Sequence, residues 1–140
     1  MTLYEQIRQD LKDAMKNKNS SAKMVYASVI AKITNAEKSG KYTLPLDEDT
    51  IVGLIQKEIK ELEETRSFYA AETAGYIDTT YKIELLKLHL PTMYTDEEVM
   101  EFIREAKAIE TNPGKVTGIV AKQVGNRFDK KRIKDLVNKI

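Results

Sequence analysis

Basic side chains are concentrated near the carboxyl end of the sequence. The segment GKVTGIVAKQVGNRFDKKRIKDL, residues 114–136, combines three glycines with a run of lysines and arginines. Residues 113–140 contain eight Lys/Arg and two Asp/Glu, a net charge of +6, whereas residues 1–112 contain 15 and 20, a net charge of −5. This asymmetry predicts that the basic tail meets an anionic partner, and phosphate is an anion that lysine and arginine bind readily.

Five cations of the tail are the first candidates for phosphate contact. Lys130, Lys131 and Lys134 lie close together at helical spacing, and Arg127 and Arg132 flank them. Cations that share one surface can neutralise several phosphates, which gives binding that weakens with salt. No aromatic interleaving marks a platform for stacking single-stranded bases. Two interpretations therefore stay open, a phosphate-contacting surface and a solvated helix face that aids solubility.

The glycines of the same segment invite comparison with a nucleotide-binding phosphate loop. The pattern fails, because isoleucine stands where that loop has its first glycine, valine follows Lys115, and no buried strand precedes the segment. Gly114, Gly118 and Gly125 fall on one face of a predicted helix. Small residues let another helix approach closely, so we predict that these three glycines serve helix packing.

Other chemistry has little support in the sequence. The chain has one histidine, His89, and no cysteine, so we predict a structural role for His89 and no metal site. The serines lie in no nucleophile motif, and the acidic runs DED and DEE occupy predicted first turns of helices, where the helix dipole stabilises negative charge. We predict no catalytic residue and no cofactor.

Apolar residues recur at helical spacing from the start of the chain. After a first amphipathic helix, a second from about residue 22 to 38 is apolar on most sides, which predicts a central helix packed all round. A third is predicted from about residue 48 to 71, with Phe68 on its inner face, and a fourth ends at Pro91, since proline lacks the amide donor.

Three shorter helices are predicted after Pro91, and their starts carry capping residues. Thr95 and Glu98 form a capping box, Asn112 precedes a first-turn proline, and Asp129 precedes the last helix. No segment alternates like a half-buried strand. The predicted fold class is therefore all-α, with an N-terminal helical bundle of about four helices, residues 1–91, followed by a small C-terminal three-helix domain, residues 92–140.

Composition sets the broad class of the protein. A chain of 140 residues with 41% hydrophobic and 32% charged residues is typical of a soluble globular protein. The longest apolar run is far shorter than the roughly 20 residues of a membrane span, and the first residues do not resemble a secretory signal. We expect a cytoplasmic protein with no membrane contact.

Two segments resemble the GatB/YqeY family. LLKLHLPTMYTDEEV is similar to that family's leucine-rich helix end, Leu-Pro and capped acidic turn, and GKVTGIVAKQVGNRFDKKRIKDLVNKI is similar to its closing Gly-Lys-Val-x-Gly helix, turn and final helix. The resemblance implies a helical N-terminal bundle joined to a small three-helix domain. A related domain forms the tail of the B subunit of glutamine-dependent aspartyl/glutamyl-tRNA amidotransferases, where it helps to engage tRNA.

The resemblance also implies a function and a set of contacts. The chain would be a non-catalytic protein that binds tRNA or another structured RNA, accessory to glutamine-dependent amidation of misacylated tRNA, with a protein of that machinery as a further partner. Any amidotransferase activity would belong to partner subunits. The alternative is a protein-protein interaction module whose basic face is incidental. Carried over by position, the resemblance implies tRNA contacts at Lys115, Arg127, Lys130, Lys131 and Arg132. With the nearby Lys122 and Lys134, these are the candidate RNA-binding residues.

Overall fold

The computed structural model describes residues 2–140, which form seven α-helices and no strand. The predicted all-α class is therefore confirmed for the described residues. The helices are α1 (Leu3–Lys16), α2 (Ser20–Lys38), α3 (Glu48–Arg66), α4 (Ala74–Lys87), α5 (Asp96–Ile109), α6 (Pro113–Val124) and α7 (Lys130–Lys139).

Every one of these helices begins after a residue whose side-chain oxygen accepts a hydrogen bond from a first-turn amide. Such caps satisfy amides that have no partner within the helix. The capping box predicted at Thr95 is confirmed, because both reciprocal hydrogen bonds with Glu98 are present at 3.1 Å. The seven capping residues are Thr2, Asn19, Asp47, Thr73, Thr95, Asn112 and Asp129.

The chain divides into two compact units, the first ending at Leu90 and the second comprising Pro91–Ile140. The first contains α1 to α4 and the second α5 to α7. Each unit has its own apolar core of buried aliphatic side chains. Fully buried members are Ile7, Val29, Ile33, Ile55, Ile83 and Leu86 in the first unit, and Val99, Ile103, Val120 and Ile133 in the second.

Predictions about three helices of the first unit are corrected by the structure. Helix α3 ends at Arg66 rather than near residue 71, and Phe68 is 88% exposed in the following turn instead of lying on the inner face. Helix α4 ends at Lys87, before it reaches Pro91. Helix α2 buries only one broad face, since Met24 is 62% exposed. The apolar pattern overestimated packing, because exposed apolar residues are common on protein surfaces.

His89 takes the structural role that was predicted for it. Its Nε2 atom lies 2.9 Å from Asp10 Oδ2 on α1 and 3.2 Å from the hydroxyl of Tyr26 on α2. The His89 and Tyr26 rings also meet edge to face, with centroids 5.6 Å apart. Burial, and secondarily the Asp10 carboxylate, raises the pKa of Tyr26 to about 12. These contacts hold the segment after α4 against α1 and α2.

A second polar contact joins α2 to α3. Lys32 Nζ lies 3.1 Å from Glu58 Oε2 and 2.8 Å from Glu61 Oε2. The Glu58 side chain is only 7% exposed, so removal of Lys32 would take away its ion-pair partner at a buried position. The hydrogen bond from Lys32 holds the pKa of Glu61 below its usual range, and the same contact raises the pKa of Lys32. These ion pairs therefore add a polar contact to the apolar packing of α2 against α3.

No helix within residues 2–140 has the length and apolar character needed to cross a membrane.

Candidate nucleic-acid interface

The basic residues of the second unit are positioned by α6 and α7. Helix α6 begins at Pro113, after Asn112 accepts a hydrogen bond from the Lys115 amide at 3.2 Å. Its inward face is valine at every fourth position from 116 to 124, all three valines being buried. Inward residues spaced in this way leave Lys115 and Lys122, which are two turns apart, on the exposed side.

Helix α7 is short and strongly amphipathic. Asp129 caps it by accepting a hydrogen bond from the Lys131 amide at 2.9 Å. Ile133, Leu136 and Val137 are buried against the core of the unit. Their spacing forces the lysines of α7 to the solvent side, so the amphipathic pattern that folds the helix also creates its basic surface.

Five of the seven candidate residues are exposed lysines. Within the part of the chain that the structure describes, none of them forms an ion pair with an acidic residue. These free lysines are Lys115, Lys122, Lys130, Lys131 and Lys134.

The free lysines do not form one tight cluster. Lys130 and Lys134 are one turn apart on α7, and Lys134 lines a cavity of about 270 Å³ with Gly114 and Thr117 at the first turns of α6. Lys122 instead lines a cavity of about 530 Å³ beside Glu105 of α5. The first location combines a cation with the positive end of a helix, whereas the second places a carboxylate next to the cation.

Arg127 is occupied by contacts within its own unit. Its guanidinium donates to the Thr92 carbonyl oxygen at 2.7 Å and to the Tyr94 hydroxyl at 3.0 Å. It also stacks 4.0 Å from the centroid of the Tyr94 ring, and the Tyr94 amide donates back to the Arg127 carbonyl at 2.8 Å. The structure thus makes Arg127 a connection between the segment before α5 and the turn before α7.

Arg132 is partly occupied. One guanidinium nitrogen lies 2.5 Å from Asp96 Oδ2, and the guanidinium is 5.2 Å from the centroid of the Phe128 ring. Both partners of the ion pair are about half exposed, with 51% and 48% of the side-chain surface accessible. Exposed ion pairs contribute about 0–1 kcal/mol, so this contact competes only weakly with an external anion.

The net charge of the basic region is smaller once the whole compact unit is counted. The acidic α5 belongs to the same compact unit as the basic α6 and α7. Residues 91–140 contain ten Lys/Arg and eight Asp/Glu, a net charge of +2 rather than the +6 of residues 113–140 alone. The unit as a whole is therefore only mildly basic, and any anion must be attracted by the local field of particular lysines.

The packing role predicted for the glycines is wrong at two positions. A Cβ atom built on Gly118 meets no atom within 4 Å, and one built on Gly114 meets only Asn112 Oδ1, at 3.2 Å, from the cap of the same helix. The valine face of α6 makes the helix contacts instead. Gly125 has a φ of +56° at the end of α6, so its requirement is conformational.

The partners of the two arginines were not predicted from the sequence. Thr92, Tyr94 and Asp96 all follow Pro91, and only Asp96 had an expected role, as a first-turn acid of α5. These contacts cross 33 to 36 positions of sequence. No local spacing rule could have paired them, because the three-helix fold brings the two segments together.

A comparison with protein-family models finds a match that spans nearly the whole chain. The model described as Yqey-like protein matches residues 4–140. The chain belongs to the YqeY-like family. The match includes all of the basic residues discussed above and extends through both compact units. No curated protein matches the sequence.

Among residues 2–140, no group of three or more histidine, cysteine, aspartate or glutamate side chains is arranged to hold an ion. What α6 and α7 of the YqeY-like fold present is a set of exposed ammonium groups on helices anchored by buried aliphatic side chains. Such a surface can bind anions without changing them chemically.

Proposed function

We propose that this YqeY-like protein binds structured RNA through lysines of α7 and the adjoining end of α6. The observation that carries the proposal is the first turn of α7. Lys130 and Lys131 occupy the positive end of the helix dipole, where cations are unfavourable by about 0.3–1 kcal/mol each. The first turn of α7 contains no acidic residue, and the cap Asp129 directly precedes it. Residues that oppose local stability without a compensating contact are expected at functional sites.

Phosphate is the ligand that best suits these lysines. Point-like ammonium groups on an exposed helix face match backbone phosphates better than base edges, which usually require bidentate groups. Lys134 adds a third cation one turn along α7, next to the first turns of α6. Recognition would therefore depend on RNA shape and phosphate spacing, as is common for double-stranded RNA.

The family relationship extends the proposal to tRNA. The resemblance to the tail domain of the tRNA amidotransferase B subunit favours a cytoplasmic accessory role in glutamine-dependent amidation of misacylated tRNA, without activity of the chain itself. In this proposal residues 92–140 act as an RNA-binding domain, and residues 1–91 form a separate four-helix bundle.

The test is tRNA affinity measured by fluorescence anisotropy as a function of salt. Changing Lys130, Lys131 and Lys134 together to Glu should abolish most of the affinity and reduce the magnitude of the log-log salt slope by about 2–3, if each lysine neutralises one phosphate. Glutamates in the first turn of α7 agree with the helix dipole, so the variant should remain folded. Circular dichroism checks this directly.

A matched control carries the same change of charge in the first unit. Lys12, Lys41 and Lys60 are exposed and form no ion pair with a described acidic residue, and their change to Glu should leave the slope within about one of the wild-type value. The proposal is rejected if the wild-type protein does not bind tRNA at low salt, or if both triple variants lose affinity equally.

A second candidate function is a protein-protein interaction module, and one observation favours it. Ile109 is 79% exposed and lines the cavity of about 530 Å³ between α5 and α6 together with Ile119. Exposed aliphatic side chains beside a groove are typical of sites that bind a partner. Changing Ile109 to Ser should abolish capture of one stoichiometric protein partner, and should leave tRNA binding unchanged if the RNA proposal is correct.

A further inference from the structure

The first unit contains a cavity of about 440 Å³ that is separate from the basic surface. It lies where the first turns of α1 and α3 meet the second half of α2 and the segment before α3. This volume is within the range of roughly 300–1,000 Å³ that small-molecule sites occupy. The residues that line it are Thr2, Leu3, Tyr4, Glu5, Ile33, Glu37, Pro45, Leu46, Glu48 and Ile51.

The interior of this cavity is aliphatic. Ile33 and Ile51 are buried members of the first core, and Leu3 and Leu46 pack against that core while remaining partly exposed. The one aromatic wall is Tyr4, whose hydroxyl accepts a hydrogen bond from Arg8 at 3.1 Å. A ligand that fills this space would thus place methylene or methyl groups against the walls, which is favourable by about 25 cal/mol per Å² of apolar surface buried.

Three carboxylates on three different helices surround the apolar part. Glu5 belongs to α1, Glu37 to α2 and Glu48 to α3, and all three are exposed. None of them forms an ion pair with a Lys or Arg that the structure describes. The nearby first turns of α1 and α3 contribute about half a positive charge each. The Arg8 guanidinium, 5.7 Å from the centroid of the Tyr4 ring, adds one more, so the three carboxylates leave the rim with a net negative charge of about one.

From this combination we infer that the cavity binds an aliphatic polyamine. The methylene chain would contact the apolar walls, and ammonium groups would pair with the carboxylates at the rim. Because the carboxylates are distributed over three helices, a ligand with several cationic groups satisfies more of them than a single ammonium does. The volume favours a small molecule over a helix of a partner protein, which needs an extended groove. This inference is independent of the RNA proposal.

Spermidine is the probe for this inference. We expect saturable binding in isothermal titration calorimetry, with NMR methyl shifts confined to Leu3, Ile33, Leu46 and Ile51. Changing Glu5, Glu37 and Glu48 together to Gln should weaken binding about tenfold, as expected for the loss of three exposed ion pairs. The uncharged chain compound 1,8-octanediol should bind much more weakly than spermidine.

A control variant tests whether spermidine binding depends on the carboxylates of the cavity or on the negative charge of the surface in general. Glu63, Glu64 and Glu72 are exposed, lie outside the cavity lining and have no ion pair with a described cation. Their triple change to Gln alters net charge equally and should leave the spermidine affinity within twofold. Absence of saturable binding, equal weakening in both triple variants, or equal affinity for the diol would each overturn the inference. Thermal unfolding confirms that both variants are folded.

Discussion

Substitution of Arg127 distinguishes a residue that stabilises the fold from a residue that contacts RNA. Its two hydrogen bonds, to the Thr92 carbonyl and the Tyr94 hydroxyl, come from a charged donor and would contribute about 1.5–3 kcal/mol each in a buried setting. Stacking on the Tyr94 ring adds roughly 0.5–1 kcal/mol. Arg127 is half-buried, and ordering its long side chain costs up to about 2 kcal/mol. We expect Arg127→Ala to destabilise the second unit by about 2 kcal/mol.

Hydrogen exchange of the full chain, followed by NMR, measures this loss in each unit separately. If opening of the second unit governs exchange, the amides of Val120 and Ile133 should exchange roughly thirtyfold faster in Arg127→Ala, while the amide of Ile55 in the first unit should be unaffected. Arg127→Lys should be almost as harmful, since an ammonium cannot present two donors at the fixed spacing of a guanidinium.

Lys131→Ala is the control for this prediction, because Lys131 is exposed and its side chain has no partner among the described residues. Lys131→Ala should change the amide exchange rates by no more than about twofold, while it weakens tRNA binding. If Arg127→Ala also exchanges like the wild type but loses RNA affinity, then Arg127 contacts RNA directly and its assignment as a positioning residue is wrong.

Three further predictions concern stability. Lys32→Met should destabilise the protein by about 3 kcal/mol in urea titrations because it leaves Glu58 buried without a partner, and adding Glu58→Met should recover most of the loss. Because the pKa of Tyr26 is raised to about 12, the stability that its neutral phenol contributes is complete below pH 10, and up to roughly 3 kcal/mol of the free energy of unfolding should be lost as pH rises from 10 to 12. Tyr26→Phe should flatten this decline; an equally steep decline in Tyr26→Phe would show that Tyr26 does not cause it. Gly118→Ala should raise stability by about 0.5–1 kcal/mol, because its Cβ meets open space in a helix interior. Gly75→Ala should raise stability less, because its Cβ would lie 2.3 Å from the Tyr69 ring, which is 45% exposed and would have to move; a larger gain at Gly75 than at Gly118 would refute this account.

Sequence patterns predicted the helices well where local chemistry decides them. The predicted caps at Thr95, Asn112 and Asp129 are all confirmed, since a capping hydrogen bond involves residues only two or three positions apart. The end of α3 was predicted less well. Phe68 continues the apolar spacing, yet the helix has already ended at Arg66, and an apolar side chain is no proof of burial.

In the candidate site, too, local sequence determined some features and tertiary contacts determined others. The sequence by itself determined which residues are basic, and the apolar spacing of α7 placed its lysines on the solvent side. Only the tertiary structure decided that Arg127 and Arg132 are engaged by Tyr94 and Asp96, because those contacts join segments more than 30 positions apart. Helix propensity and capping act over a few residues, whereas the partner of a charged side chain is whatever the folded chain brings within a few ångströms of it.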